Sequence, residues 1–286
     1  MASYRFCRPD DLDLLVKAIN TCYLVHFPGA AACTPRDFKR MVRELSLWSS
    51  SSLVTLERDA FDPVSVLIGC KRGEETLVYM LGTRPDHLRK GHAAHMLRSL
   101  SGKLAVLGPP NIVAEVPEDN QPTMLLFKKS EYLHQVIFTD YLLSETLTAP
   151  PGGLAVDEIK LKHLEESGGF NIPQGMAWIR QAATIQNCAD RIRGRAIISE
   201  SGIEACVFFL KEQNPHRSEI LSLWSSERVR RDVCFEVLLR DISSNLSQPL
   251  FLPRLAEQEI NTLFLEGLGF KCGKRYVRWH GTAQPV

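Results

Sequence analysis

Residues 88 to 94 read Leu88-Arg89-Lys90-Gly91-His92-Ala93-Ala94, between a run with the pattern of a strand and one with the pattern of a helix. These residue types suit anion binding. A pyrophosphate is held by backbone N–H groups at a helix start, where the helix dipole also favours negative charge, worth roughly 0.3–2 kcal/mol. The backbone must come close to the phosphate, and Gly91 and Ala93 keep that approach open. Arg89 and Lys90 add positive charge at the rim. His92 is read for its backbone N–H rather than its ring. Taken alone, the same stretch also reads as a basic surface turn, and only its neighbours can decide between the two. Elsewhere, Glu115 is followed closely by Glu118 and Asp119, and His26 titrates in a range useful for proton transfer. No Ser/His/Asp or Cys/His arrangement is legible, and Cys22 near His26 does not make a nucleophile.

The 286-residue chain is long enough for two domains. Its 44% hydrophobic and 23% charged residues are ordinary for a globular protein. A net charge of +1 offers no overall field for nucleic acid or an anionic membrane, so neither is expected as a partner. No apolar run is long enough to cross a bilayer, and acidic residues stand in the N-terminal stretch where a secretory signal has its apolar core. The eight cysteines include no CxxC pair. They read as reduced thiols of a cytoplasmic protein, with no zinc site and no other metal expected.

The elements that must position these groups follow from periodicity. A helix opens at Asp10, which can cap it, and a second at Thr34-Pro35. Three strands follow, SLVTLERD, VSVLIGCKR and TLVYMLGTR, joined by short breaks that imply antiparallel pairing. After residues 88–94 come an amphipathic helix stopped by Gly108-Pro109-Pro110, a strand IVAEV, a short helix PTMLLFKKSE and a last strand pair around HQVIFTDYLL. The segment 148–175, with its Pro-Pro-Gly-Gly and Gly-Gly, reads as a linker. The second half repeats part of the order. A helix is expected over 176–193, then three strands, a helix led by Arg228, Arg230 and Arg231, the strand PLFLPRL, a helix EQEINTLFLEGLGF and the strand KRYVRWHG. The fold expected is α/β, a mixed, mostly antiparallel sheet flanked by helices, built twice.

With these elements in place, the first half resembles the GNAT superfamily of acyl-CoA-dependent N-acyltransferases over Tyr4 to Leu143. The family pattern is a strand ending near a proline, then [Gln/Arg]-x-x-Gly-x-[Gly/Ala], then a helix. It is matched by Tyr79-Met80-Leu81-Gly82-Thr83-Arg84-Pro85 and Leu88-Arg89-Lys90-Gly91-His92-Ala93, with Leu88 at the position where Gln or Arg is usual. The family's Asn-x-x-Ala, aromatic and Gly-Phe positions read Asn120-Gln121-Pro122-Thr123, Phe127 and Glu131-Tyr132. The second half is similar mainly at its end, Leu268-Gly269-Phe270 and Arg275 to Trp279, and has no glycine at Arg230-Arg231-Asp232-Val233-Cys234.

The resemblance implies a tandem pair: a donor-binding domain over 1–147, a linker over 148–175 and a degenerate copy over 176–286. It implies acetyl-CoA as acyl donor and an amine as acceptor. Leu81, Gly82 and Thr83 would pair with the pantetheine arm, Leu88 to Ala94 would hold the pyrophosphate, and Asn120 and Phe127 would lie by the donor. Tyr23 and His26 would border the acceptor groove. Acyl transfer needs the amine neutral, and Glu115 is the residue placed to take its proton. Phe127 stands where many members have a tyrosine that protonates the departing thiolate, so that proton must come from water or another donor such as Tyr132. Phe127 and Leu88 keep open the alternative of a non-catalytic acyl-CoA sensor, and a scaffold with both cradles inactive is a third reading.

Overall fold

The computed structural model describes residues 3–57, 62–149, 154–166, 175–214, 217–227, 229–246 and 248–285. The chain divides into two compact units, Met1–Val136 with Val277–Val286, and Ile137–Tyr276.

The first unit opens with a strand that the sequence reading did not expect, β1 (Ser3–Phe6). Helix α1 (Leu12–Ala18) follows, and Asp11 rather than Asp10 stands at its N-cap. The Asp11 carboxylate does not cap the helix. It takes both nitrogens of Arg5, at 2.6 and 2.7 Å, and the Arg8 N–H. One π-helical turn (Ile19–Tyr23) and one 3-10 turn (Leu24–His26) lead toward α2 (Pro35–Leu45). The start of α2 is fixed as the sequence predicts. Thr34 Oγ1 accepts from the Asp37 N–H, Asp37 accepts from the Thr34 N–H, and Pro35 fills the first turn. Strands β2 (Leu53–Leu56), β3 (Pro63–Arg72) and β4 (Glu75–Thr83) are antiparallel neighbours. Then come α3 (His92–Leu107), β5 (Asn111–Pro117), α4 (Gln121–Lys129) and β6 (Leu133–Leu143), which is one long strand rather than a pair.

The second unit takes in the expected linker. Its described part holds β7 (Asp157–Ile159), paired with β8 (Ile192–Ser199), and α5 (Leu161–Glu166); the rest of 148–175 lies largely outside the described residues, as does Arg228. The helix expected over 176–193 is a 3-10 turn (Trp178–Arg180) and a short α6 (Ala182–Asn187). It is broken because Arg180 turns into the core instead of continuing a surface helix. Strands β9 (Gly202–Asn214) and β10 (Arg217–Ser225), helix α7 (Arg231–Leu246), β11 (Leu250–Ala256), α8 (Thr262–Gly267) and β12 (Lys271–Thr282) complete the chain.

The strand order in the first unit is β1-β2-β3-β4-β5, with the second half of β12 beside β5. In the second unit it is β7-β8-β9-β10-β11, with the second half of β6 antiparallel to β11. The units therefore divide inside β6 and inside β12. In the first unit one face of the sheet packs Met96, Leu97, Leu100 and Leu104 of α3 against Val78, Ile112, Ala114 and Val116.

Candidate active site

β4 and β5 pair in parallel only from Glu75–Asn111 to Val78–Ala114. Beyond that point no pairing joins them. The cause on β4 is a bulge. Its pairing with β3 steps from Ile68–Met80 to Gly69–Val78, which leaves Tyr79 as an extra residue that bends the strand. The Arg84 N–H donates to the Val64 carbonyl at 2.9 Å. Antiparallel alternation then turns the backbone groups of Gly82 toward β3, and those of Leu81 and Thr83 toward the gap. Two of the three residues assigned to the pantetheine arm thus face it, and Gly82 does not. Gly82 has another task. A Cβ there would lie 2.3 Å from the Cys22 carbonyl oxygen and 2.8 Å from the Tyr23 Cα, so only glycine lets the π-helical turn sit against the end of β4.

Around Gly82 the groups are tightly held. Ser65 Oγ lies 2.5 Å from Thr83 Oγ1 and donates to the Gly82 carbonyl. His26 Nε2 donates to the Thr83 carbonyl at 2.7 Å, which assigns the proton to that nitrogen. Tyr23 packs its ring 5.0 Å from that of Phe27. Both residues expected beside the acceptor groove therefore meet the end of β4. Arg84, next in the chain, binds Glu57 and Asp86, and these carboxylates hold its charge.

The loop that follows is built for close approach. Leu88, Arg89 and Lys90 are exposed, and Arg89 adopts φ +61°. Gly91 takes φ +83° as N-cap of α3, with open space where a Cβ would stand. No side chain caps this helix, so the N–H groups of His92, Ala93 and Ala94 are those its geometry leaves without a helical partner. The His92 ring is buried and hydrogen-bonds the Tyr4 hydroxyl through Nδ1 at 2.6 Å. Burial pushes its pKa down, helped by His87, Lys90 and His95.

Glu115 stands one residue past the last β4–β5 pair. Ile112, Ala114 and Val116 join the α3–α4 core, so alternation puts half-buried Glu115 on the opposite face. Its charge adds to burial in raising the Cys70 thiol. Two other assigned residues have structural partners. Phe127 is 1% exposed, edge-on to Tyr132 and stacked near Trp279, so its ring belongs to the core and not to a ligand surface. Asn120 is the N-cap of α4 and spends its Oδ1 on the Thr123 N–H. Tyr132 lies just past the C-terminal end of α4, whose nine residues span about 13 Å. Burial pushes its phenol up to about 12. It lines a cleft of about 530 Å³, beside Leu97, Arg98 and Lys129.

No family model matches the chain. An acetyltransferase of Photorhabdus laumondii subsp. laumondii is 29% identical over 143 residues, 49% of this chain and 94% of its own. A tandem GNAT protein from the clavulanic acid biosynthesis pathway is 15% identical and superposes over all of both chains with a TM-score of 0.72. The chain shares its fold with that tandem GNAT protein. A GCN5-related N-acetyltransferase from Sphaerobacter thermophilus shares the fold at 12% identity, over 99% of this chain and 96% of its own, with a TM-score of 0.68.

The second unit has the same parting, with a different outcome. β10 and β11 are parallel only at Ser218–Leu250 and Glu219–Phe251. At the next residue, the Ile220 carbonyl accepts from Arg180 Nη1 at 2.9 Å, and Arg180 Nε donates to Glu259 at 2.8 Å. Glu259 also accepts from the Ala256 N–H at the end of β11. A buried ion pair therefore bridges the two strands where they separate. Arg231, the first residue of α7, donates to the Glu259 carbonyl, which draws that helix start onto the plug. Sequence reasoning missed this pair, whose members are 79 residues apart with nothing local to link them.

Proposed function

We propose that the chain is an N-acetyltransferase that moves an acetyl group directly from acetyl-CoA to an amine, with the first unit as donor site. The observation that carries this is the conjunction of two features: the β4–β5 gap with the backbone of Leu81 and Thr83 turned into it, and the uncapped, glycine-led start of α3 beside it. The residues fit the donor. First-turn amides from His92 to Ala94 would hold its pyrophosphate, with Arg89 and Lys90 at the rim. Leu81 and Thr83 would pair with its amide-bearing arm as with an added strand.

The donor supplies a thioester carbonyl. The amine nitrogen forms a bond to that carbon, the C–S bond breaks, and the sulfur leaves as thiolate. Glu115, beside the parting point, takes the amine proton directly or through water. With Phe127 in the core, water protonates the thiolate. Among the described residues no group of three or more His, Cys, Asp or Glu is placed to hold a metal. No described helix is long and apolar enough to cross a bilayer. Six buried cysteines in the thiol form favour a reducing compartment, hence the cytoplasm.

Titration with acetyl-CoA, followed by thermal shift and by thiol release across a panel of amines, tests the reading. A shift with thiol release is expected. A shift without release for any amine would favour the second reading, an acyl-CoA sensor, to which the absence of a phenol at Phe127 points. No shift would sink both.

A further inference from the structure

His92 opens α3 at the uncapped helix start, and its side chain is 8% exposed. Hydrocarbon would fill that space at lower cost, because a buried polar ring needs a partner. The partner is Tyr4. Its hydroxyl lies 2.6 Å from His92 Nδ1, and its ring centroid is 3.9 Å from that of His95. Tyr4 is itself fixed by the sheet, opposite Thr55 where β1 pairs with β2. A phenol both donates and accepts. It donates to Nδ1 of the neutral ring and accepts from the Nδ1–H of the charged one, so the bond survives a change of charge. Burial raises the Tyr4 pKa and keeps the phenol protonated.

We propose that the His92 ring takes up a proton when the donor's diphosphate settles on the first turn of α3, with Tyr4 as the partner that holds the ring in both states. The inference rests on the donor site proposed above and adds a positioning pair to it. With the turn empty, the surroundings oppose charge on the ring. The titratable and charged groups around it are Tyr4 from β1, His95 three residues on, and His87 and Lys90 from the loop, with the His87 and His92 rings 6.0 Å apart. Beyond His87 stand Glu57 and Asp86, whose charge is taken by Arg84. The positive end of the helix dipole adds to the opposition. A bound diphosphate reverses the balance, because it brings two negative charges to the turn that His92 begins. Proton and diphosphate then favour each other, each tightening the other by one factor. The empty site keeps the ring neutral until pH falls below the ordinary imidazole range, because burial lowers its pKa. The occupied site charges the ring at higher pH. Between the two, the complex carries a proton that the free protein lacks, so affinity rises as pH falls.

Dephospho-CoA is the probe, because its diphosphate stays fully ionised across the imidazole range and it lacks the phosphate monoester of CoA that titrates there. By calorimetry its Kd is expected to fall about ten-fold between about pH 8 and about pH 5.5. At about pH 6.5, binding heats in buffers of different ionisation enthalpy should show proton uptake. In the unaltered protein the NMR signals of the His92 ring should titrate at higher pH in the complex than in the free state. His92→Gln keeps the backbone amide but cannot be charged, and should bind with a level Kd and no uptake. Tyr4→Phe removes the acceptor for the charged ring and should shrink both effects, whereas His87→Gln and His95→Gln should keep the uptake. A level Kd with His92 titrating alike in both states would overturn the inference and leave the donor site standing, as would undiminished uptake in His92→Gln. No binding at any pH would overturn the inference together with the donor site.

Discussion

The two units open the same gap and finish it differently. In the first, β4 and β5 part after Val78 and Ala114, and the edge beyond carries backbone groups of Leu81 and Thr83. In the second, β10 and β11 part after Glu219 and Phe251, and Arg180 with Glu259 fills the space between. A parting of parallel strands leaves polar backbone that must find partners. A protein can leave that to a ligand or do it with its own side chains. The helix beside each gap follows suit. Gly91 leaves the start of α3 open, whereas the start of α7 carries Arg231 and Asp232, with Arg231 bonded to the plug.

The comparison can be broken most strongly at the plug. Arg180→Met leaves Glu259 buried without its partner and should destabilise the protein by about 3–5 kcal/mol in urea melts. Arg180→Met with Glu259→Leu should recover most of that loss. The double variant should still bind a single acetyl-CoA by calorimetry, since no glycine leads α7; a second site would show that the plug alone closes this unit. In the first unit, Glu115→Gln should lower kcat about 100-fold, near 2.7 kcal/mol, with donor affinity kept. Gly91→Glu sets an anion and a strained φ at the helix start, and should weaken acetyl-CoA binding by about 2 kcal/mol, read by thermal shift, with the fold retained.

The smallest effect concerns a turn both units share. The Tyr132 N–H bonds the Phe127 carbonyl, and the Phe270 N–H bonds the Leu265 carbonyl. The residue before each aromatic has positive φ, +63° at Glu131 and +92° at Gly269. Glu131→Gly should therefore stabilise by up to about 1 kcal/mol, and Gly269→Ala should destabilise by a similar amount, in paired melts.

What was legible in the sequence is what depends on local pattern. The Thr34 capping box, the Gly91 helix start and the order of strands and helices are each written in a few neighbouring residues. The four-residue β1 is too short for alternation to show. The turn that carries Arg180 reads as helix because its partner, Glu259, is distant in sequence. Asn120 and Phe127 matched a family position, yet in this chain one caps α4 and the other fills the core. Those roles depend on Thr123, Tyr132 and Trp279, not on spacing.

The division inside β12 has a consequence for how the protein is made. β5 ends at Pro117, and the strand beside it begins its first-unit part at Val277. At ordinary elongation rates the ribosome needs on the order of 10 s to travel that interval. Throughout that time one edge of the nascent first unit waits for a neighbour that has not been translated. A ribosome that stalls within β12, or a premature stop there, would leave the first unit incomplete even though nearly all of its residues had been synthesised.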